Sequence, residues 1–372
     1  MIDRETNSTP AEKRSRARLT GWIWAAKAAV STGLFLWIIA RADLADTLRA
    51  LSQAEPRWLL PAACSPAIGT VLTATRWGGL LRAQGVCLRL ATLVQSCCVA
   101  AFFRQFLPST IGGDAIRGYD SWRAGASKPV AVAALVVDRL LGLLILVLFA
   151  AVGICLPHSP LRQYPLVFWA VGLAAGGLLL GTWLLFRPAG KFSAAARRAT
   201  AGLPRFLRRT SVGILDAAGA FGGKQRQLPR ALGYSILLQT NVILFYYLLG
   251  RAMGFGISYS QFCVIVPIAT LVMLVPVSIN AIGVREGIFV FLLGTFGVSS
   301  AEAVAFAWLE HGVFLLYGLF GAVVFACRKV PRRIPAAPSV DAPWAGAARR
   351  SHSLKMEKPE GVGPAEVPLE AW

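Results

Sequence analysis

The chain has 372 residues, 56% of them hydrophobic and only 15% charged, and its mean hydropathy is +0.58. Soluble domains carry about 25% charged residues, so this balance excludes an ordinary soluble domain and predicts a membrane protein. The net charge of +20 does not point to nucleic acid: the basic residues sit in a few segments between long apolar runs, with no RNA- or DNA-binding motif beside them, as cytoplasmic loops facing anionic lipid do.

Residues 1–20 are polar and basic, and Gly21–Ala40 after them is longer than the apolar core of a cleavable signal, so it is expected to be a retained first span. Five further stretches are long enough to cross about 30 Å of hydrocarbon. These are Trp58–Leu81, Val130–Cys155, Pro165–Phe186, Ala231–Gly250 and Ala303–Cys327. Two segments are interrupted. Leu90–Leu107 carries Gln95, Ser96, Arg104 and Gln105, and Tyr259–Phe296 is broken by Pro276, Asn280, Gly283, Arg285 and Glu286.

The loops set the direction of each span. Residues 187–230 hold ten Lys and Arg against the single acid Asp216, which predicts a cytoplasmic loop, and the basic flanks predict cytoplasmic N- and C-termini. If Leu90–Leu107 crossed fully, every later loop would invert, so it is read as a hairpin entering and leaving on the cytoplasmic side. Tyr259–Phe296 is read as one entering from the outer side, since its second arm is only about 18 Å long as a helix. The expected fold class is an all-α integral membrane protein with about six full transmembrane helices and two re-entrant hairpins, arranged as an inverted repeat of the kind secondary transporters use. Residues 21–327 form this domain, and residues 328–372, rich in Pro and Ala, are expected to be a disordered cytoplasmic tail.

Each hairpin contains a related phrase, PSTIGGDAIR from Pro108 to Arg117 and PVSINAIGVR from Pro276 to Arg285, with an arginine nine residues after a proline. Helix-breaking residues at membrane depth survive where they line a cavity or are buried in protein. The freed amides, the following helix start and the arginine together predict an anion site. Other polar residues in apolar runs are candidates as well. Arg76 lies near a span end and is read as snorkelling to the surface. Asp138 and Arg139 form either a neutralising pair or part of a head-group site. Glu310 and His311 are candidates for ion coupling, with Glu310 able to pair with a membrane arginine. Gly172, Gly176, Gly177 and Gly181 predict close helix packing, with dimerisation as the alternative. The seven cysteines show no CxxC spacing and read as small apolar residues. The three scattered histidines offer no metal motif, so no metal and no cofactor are expected.

At these residues the chain resembles the flippase-like membrane region of lysylphosphatidylglycerol synthases and of their stand-alone relatives of the YbhN type. The resemblance rests on FLPSTIGGDAIRGY, VVDRLLGL and VPVSINAIGVREG and covers roughly Gly21–Cys327. It implies substrate-binding roles for Gly112, Gly113, Asp114 and Arg117, for Asp138 and Arg139, and for Gly283, Arg285 and Glu286. The family's third motif carries a glycine where this chain has Asn280 or Ala281. The lysyl-transferring members append a large soluble domain. The 43 residues from Val330 to Trp372 are too few for one, which implies transport without synthesis.

The expected function is therefore a lipid flippase or a transporter of a lipid-linked molecule, binding the anionic head group of a phospholipid or polyprenyl lipid between two halves. The expected setting is a bacterial plasma (inner) membrane, and no enzymatic step is expected. The alternatives are a secondary transporter of a water-soluble anion, or a membrane enzyme using a lipid phosphate. No ATP-binding P-loop is present, so pumping would require an ion gradient or a separate ATPase.

Overall fold

The computed structural model describes residues 44–106, 111–155, 165–185, 228–275 and 277–328. The expected first span Gly21–Ala40, the basic loop as far as residue 227, the tail from residue 329 and both motif prolines, Pro108 and Pro276, lie outside them. The described residues form ten α-helices and no strand. They are α1 (Leu44–Ser52), α2 (Pro56–Ala83), α3 (Leu90–Phe106), α4 (Ile111–Arg123), α5 (Lys128–Cys155), α6 (Pro165–Leu185), α7 (Leu228–Ala252), α8 (Tyr259–Met273), α9 (Val284–Gly294) and α10 (Ser300–Cys327).

Four of these, α2, α5, α7 and α10, have 25 to 28 residues and are apolar enough to cross a bilayer. At 1.5 Å per residue they measure about 38–42 Å. The protein is an all-α membrane protein. A long helix, a pair of short helices and a second long helix occur twice, as α2, α3–α4, α5 and as α7, α8–α9, α10, with the 21-residue apolar helix α6 between them. The 11 residues of α9 extend only about 17 Å, too short to span.

Local chemistry fixes where the helices start. The Ser299 hydroxyl accepts from the Glu302 amide at 3.3 Å, and the Glu302 carboxylate takes the Ser299 amide at 3.0 Å. This reciprocal cap begins α10 three residues before the expected span. Pro56 opens α2 at a position where its missing N–H is no loss.

The four helices of the second half share an aromatic core, in which Phe245, Tyr246, Phe262, Phe289 and Phe306 are buried. Rings of Phe289 and Phe306 meet edge to face at 5.2 Å. Helices α2 and α7 pack together through Asn241, whose amide donates to the Ser65 carbonyl at 3.1 Å. Helix α10 lies against α3 because Gly321 allows the Cys98 carbonyl to approach where a side chain would intrude.

The first motif does not interrupt a helix in its described part. Helix α4 runs through Gly112 and Gly113, and Gly113 serves close packing instead: a Cβ there would stand 2.7 Å from the Ala100 carbonyl oxygen. That contact and the hydrogen bond from Ser96 to Asp120 make α3 and α4 an antiparallel pair. The second motif is broken, as expected. Asn280 (φ 50°), Ala281 (φ 58°) and Gly283 (φ 82°) all adopt positive φ between α8 and α9. Glycine is the residue that tolerates this region, so the departure from the family motif falls on two strained positions.

The packing expected of the α6 glycines does not occur among the described residues. A Cβ at Gly172, Gly176, Gly177 or Gly181 would meet nothing within 4 Å.

Candidate functional site: a cationic cavity between the two halves

The long helices do not close on one another completely. A cavity of about 300 Å³ lies between α2, α3, α7 and α10, and the tip of Arg117 reaches it from α4. Its polar lining comes from Thr70 on α2, Arg104 and Gln105 on α3, Gln239 and Asn241 on α7, and Tyr317 on α10. Tyr317 donates to the Thr70 hydroxyl at 2.6 Å, joining the halves across the cavity. Among the described residues the lining contains two arginines and no carboxylate.

The two arginines differ in one respect that decides their chemistry. Arg117 is buried and neutralised: its Nη2 donates to Asp138 at 3.0 Å, its Nη1 is 3.5 Å from Asp114, and its guanidinium stacks over Trp77 at 4.6 Å. Arg104 keeps exposed surface and has no ion-pair partner among the described residues. A cation at a largely apolar cavity, with no acid paired to it among the described residues, favours an anion. Among the described residues Gln105 Nε2, Gln239 Nε2 and Arg117 Nε also lack hydrogen-bond partners, so the residues lining the cavity hold spare donors and no carboxylate.

Asp138 is the hub of the first cluster. Its Oδ1 accepts from Arg76 Nε at 2.7 Å, and Arg76 Nη1 donates to Ser235 at 2.8 Å. Arg76 is thus buried and paired, contrary to the expectation that it snorkels to the surface. A carboxylate one helix away offers it a shorter route out of the hydrocarbon than water does. The neighbour of Asp138, Arg139, points elsewhere and meets Asp114 at 2.7 Å. Asp114 therefore bridges Arg139 and Arg117.

The second cluster surrounds Arg285. Its Nε is 2.9 Å from Glu310 in an ion pair, the Glu310 carboxylate accepts from Tyr246 at 3.0 Å, and Arg285 Nη1 lies 2.7 Å from His311 Nδ1. Arginine carries no acceptor, so His311 must accept at Nδ1 and hold its proton on Nε2. The helix start expected to attract an anion is already occupied: Glu286 takes the Gly283 amide at 2.6 Å. Arg117 is the seventh residue of α4 and Arg285 the second of α9, so equal spacing from the two prolines does not place them equivalently. A long contact of 3.5 Å from Asn280 to Gln105 connects this cluster to the cavity.

Of the residues singled out in the sequence, the structure brings Arg117 to the cavity, with Asp114 and Asp138 behind it. Gly112 and Gly113 sit in the first turn of α4. Gly283, Arg285, Glu286, Glu310 and His311 gather in the second cluster. Gln239, Asn241 and Tyr317 were not singled out, and only the polarity of Arg104 and Gln105 within an apolar run marked those two.

The chain matches the family described as the lysylphosphatidylglycerol synthase TM region over residues 24–321. It belongs to that family. The match covers most of the expected range Gly21–Cys327 and includes every residue of both clusters. No curated protein and no solved structure matches the chain.

Proposed function

We propose that this member of the lysylphosphatidylglycerol synthase TM family is a lipid flippase that carries the anionic head group of a phospholipid or polyprenyl lipid through the cavity between its halves. It moves the molecule without altering it, in a bacterial plasma membrane with both termini on the cytoplasmic face. The observation that carries this reading is the unpaired guanidinium of Arg104 beside a cavity lined by both halves and, among the described residues, by no acid. A phosphate satisfies Arg104 and the spare amide donors together, and the acyl chains stay in the bilayer. The buried pairs at Asp138 and Glu310 then serve as fixed walls whose charge is already balanced.

The test is flipping of fluorescent phosphatidylglycerol in proteoliposomes. Arg104 makes no ion pair among the described residues, so Arg104→Gln should fold with unchanged thermal stability and flip about tenfold or more slowly, in line with about 1.5–3 kcal/mol for a lost charged hydrogen bond. Arg104→Lys keeps the charge without the bidentate fork and should fall between. A wild-type rate in stable Arg104→Gln protein overturns the assignment.

A further inference from the structure

A second concave feature lies outside the central cavity. The groove between α4 and α5 has a volume of about 760 Å³ and is lined by Tyr119 and Trp122 from α4 and by Lys128, Val132, Val136 and Arg139 from α5, with Asp114 at its floor. Exposed apolar surface is general on a membrane protein. Two cations on the wall of an apolar groove are not.

The lining is ordered along α5. Lys128, Val132, Val136 and Arg139 follow at intervals of three to four residues on one helix face, which places Lys128 and Arg139 about 16 Å apart. At the first end Lys128 lies 5.9 Å from the centre of the Trp122 ring, and Arg123 donates to the Tyr119 hydroxyl at 2.8 Å. Aromatic rings with Lys and Arg are the signature of the head-group level of a bilayer. Val132 and Val136 continue inward and are 41% and 39% exposed, as a surface for an acyl chain must be. Arg139 follows, with its side chain 47% exposed. An arginine so placed is expensive in hydrocarbon unless an anion accompanies it.

Its present partner is shared. Asp114 serves Arg139 through Oδ2 at 2.7 Å and Arg117 through Oδ1 at 3.5 Å. Lys128 has no acid partner among the described residues. The groove therefore offers Lys128 and Arg139 against one carboxylate that is already divided between two guanidiniums.

We propose that this groove binds an anionic glycerophospholipid from the cytoplasmic leaflet, with its phosphate at Lys128 on entry, an acyl chain against Val132 and Val136, and Arg139, about 16 Å further in, as the next cation the phosphate meets. The inference deepens the flippase reading, because Arg117 lines the central cavity and Asp114 links it to the groove. A phosphate that takes Arg139 from Asp114 stands next to Arg117. The groove is then the entrance and the cavity the passage.

The experiment uses the full chain in proteoliposomes of phosphatidylglycerol and phosphatidylcholine, with the photoreactive residue p-benzoylphenylalanine in place of Val136 and, in a second preparation, of Leu173, which is 81% exposed on α6. Adducts are identified by mass spectrometry. At Val136 phosphatidylglycerol should be enriched over its bulk fraction by about fivefold for each cation engaged, and at Leu173 adducts should follow the bulk composition. Lys128→Gln, an exposed position that leaves Asp114 untouched, should lower the enrichment at Val136 by about fivefold. Lys128→Gln with Arg139→Gln should abolish it.

Bulk composition at Val136, enrichment indifferent to Lys128→Gln, or adducts to a second copy of the chain each overturn the proposal. Capture is scored separately from flipping, in the Arg104→Gln background as well. Enrichment at Val136 with wild-type flipping in Arg104→Gln would uphold the groove and defeat the reading of the cavity. Loss of flipping in Arg104→Gln without enrichment at Val136 would do the reverse.

Discussion

Asp138 is the position whose removal should cost the fold most. Its two oxygens accept from different arginines, Arg76 at 2.7 Å and Arg117 at 3.0 Å, and all three residues are buried. Asp138→Asn keeps the shape, yet it removes the charge and turns one acceptor into a donor aimed at a guanidinium. Breaking a buried pair costs about 3–5 kcal/mol, because the stranded partner stays in a medium that cannot solvate it. Arg117 retains Asp114 and the face of Trp77, whereas among the described residues Arg76 retains only Ser235. Most of the penalty therefore lies on the Arg76 side, and Asp138→Asn should lose about 3–5 kcal/mol. Arg76→Met leaves Asp138 with Arg117 and should lose less, about 1–3 kcal/mol. The double variant should lose less than the two single losses added, by more than about 1 kcal/mol. Equilibrium unfolding of the three purified variants in one detergent measures all three quantities. Additive losses, or an Asp138→Asn protein within about 1 kcal/mol of wild type, would refute the assignment of Asp138 as the hub.

Three further outcomes follow from two glycines and the strained turn. Gly113→Ala places a methyl 2.7 Å from the Ala100 carbonyl oxygen and should destabilise by about 1–3 kcal/mol as the α3–α4 pair moves apart. Gly172→Ala, with nothing within 4 Å, should be neutral or stabilising by up to about 1 kcal/mol in the same unfolding assay. Ala281→Gly relieves a left-handed residue at φ 58° worth about 1–2 kcal/mol. It returns about 0.5–1 kcal/mol through the freer unfolded chain, so thermal unfolding should show a small gain, and a loss would show that the turn is not strained there.

The long helices were readable in the sequence because a bilayer demands about 20 consecutive apolar residues and little else mimics that pattern. Their ends were less so. Helices α2, α5, α7 and α10 each begin two or three residues before the apolar run, at Pro56, Lys128, Leu228 and Ser300. A helix ends where its caps lie, and hydropathy does not register the polar turn between cap and hydrocarbon. The breaks in the two hairpins were visible as polar residues, but their conformations were not. Gly112 and Gly113 read as breakers and are helical, while the alanine at position 281, which nothing in its chemistry marks, takes the left-handed turn. A glycine in a sequence states permission for an unusual backbone or a close approach, and packing decides which is used.

The candidate site was partly legible for a different reason. Motif similarity drew attention to Arg117 and Arg285, and both prove to be held by buried carboxylates, Asp138 and Glu310. Arg104 belongs to neither of the motif phrases and is unpaired among the described residues. The difference lies in contacts that local sequence cannot express: Asp138 meets Arg76 across 62 positions, and Arg76 meets Ser235 across 159. In a low-dielectric interior an arginine already paired with an acid presents little net charge to a ligand, and separating the two to admit an anion costs several kcal/mol. An arginine without an acid has that interaction still to make. The guanidinium that has no acid partner among the described residues is therefore visible only in the folded arrangement.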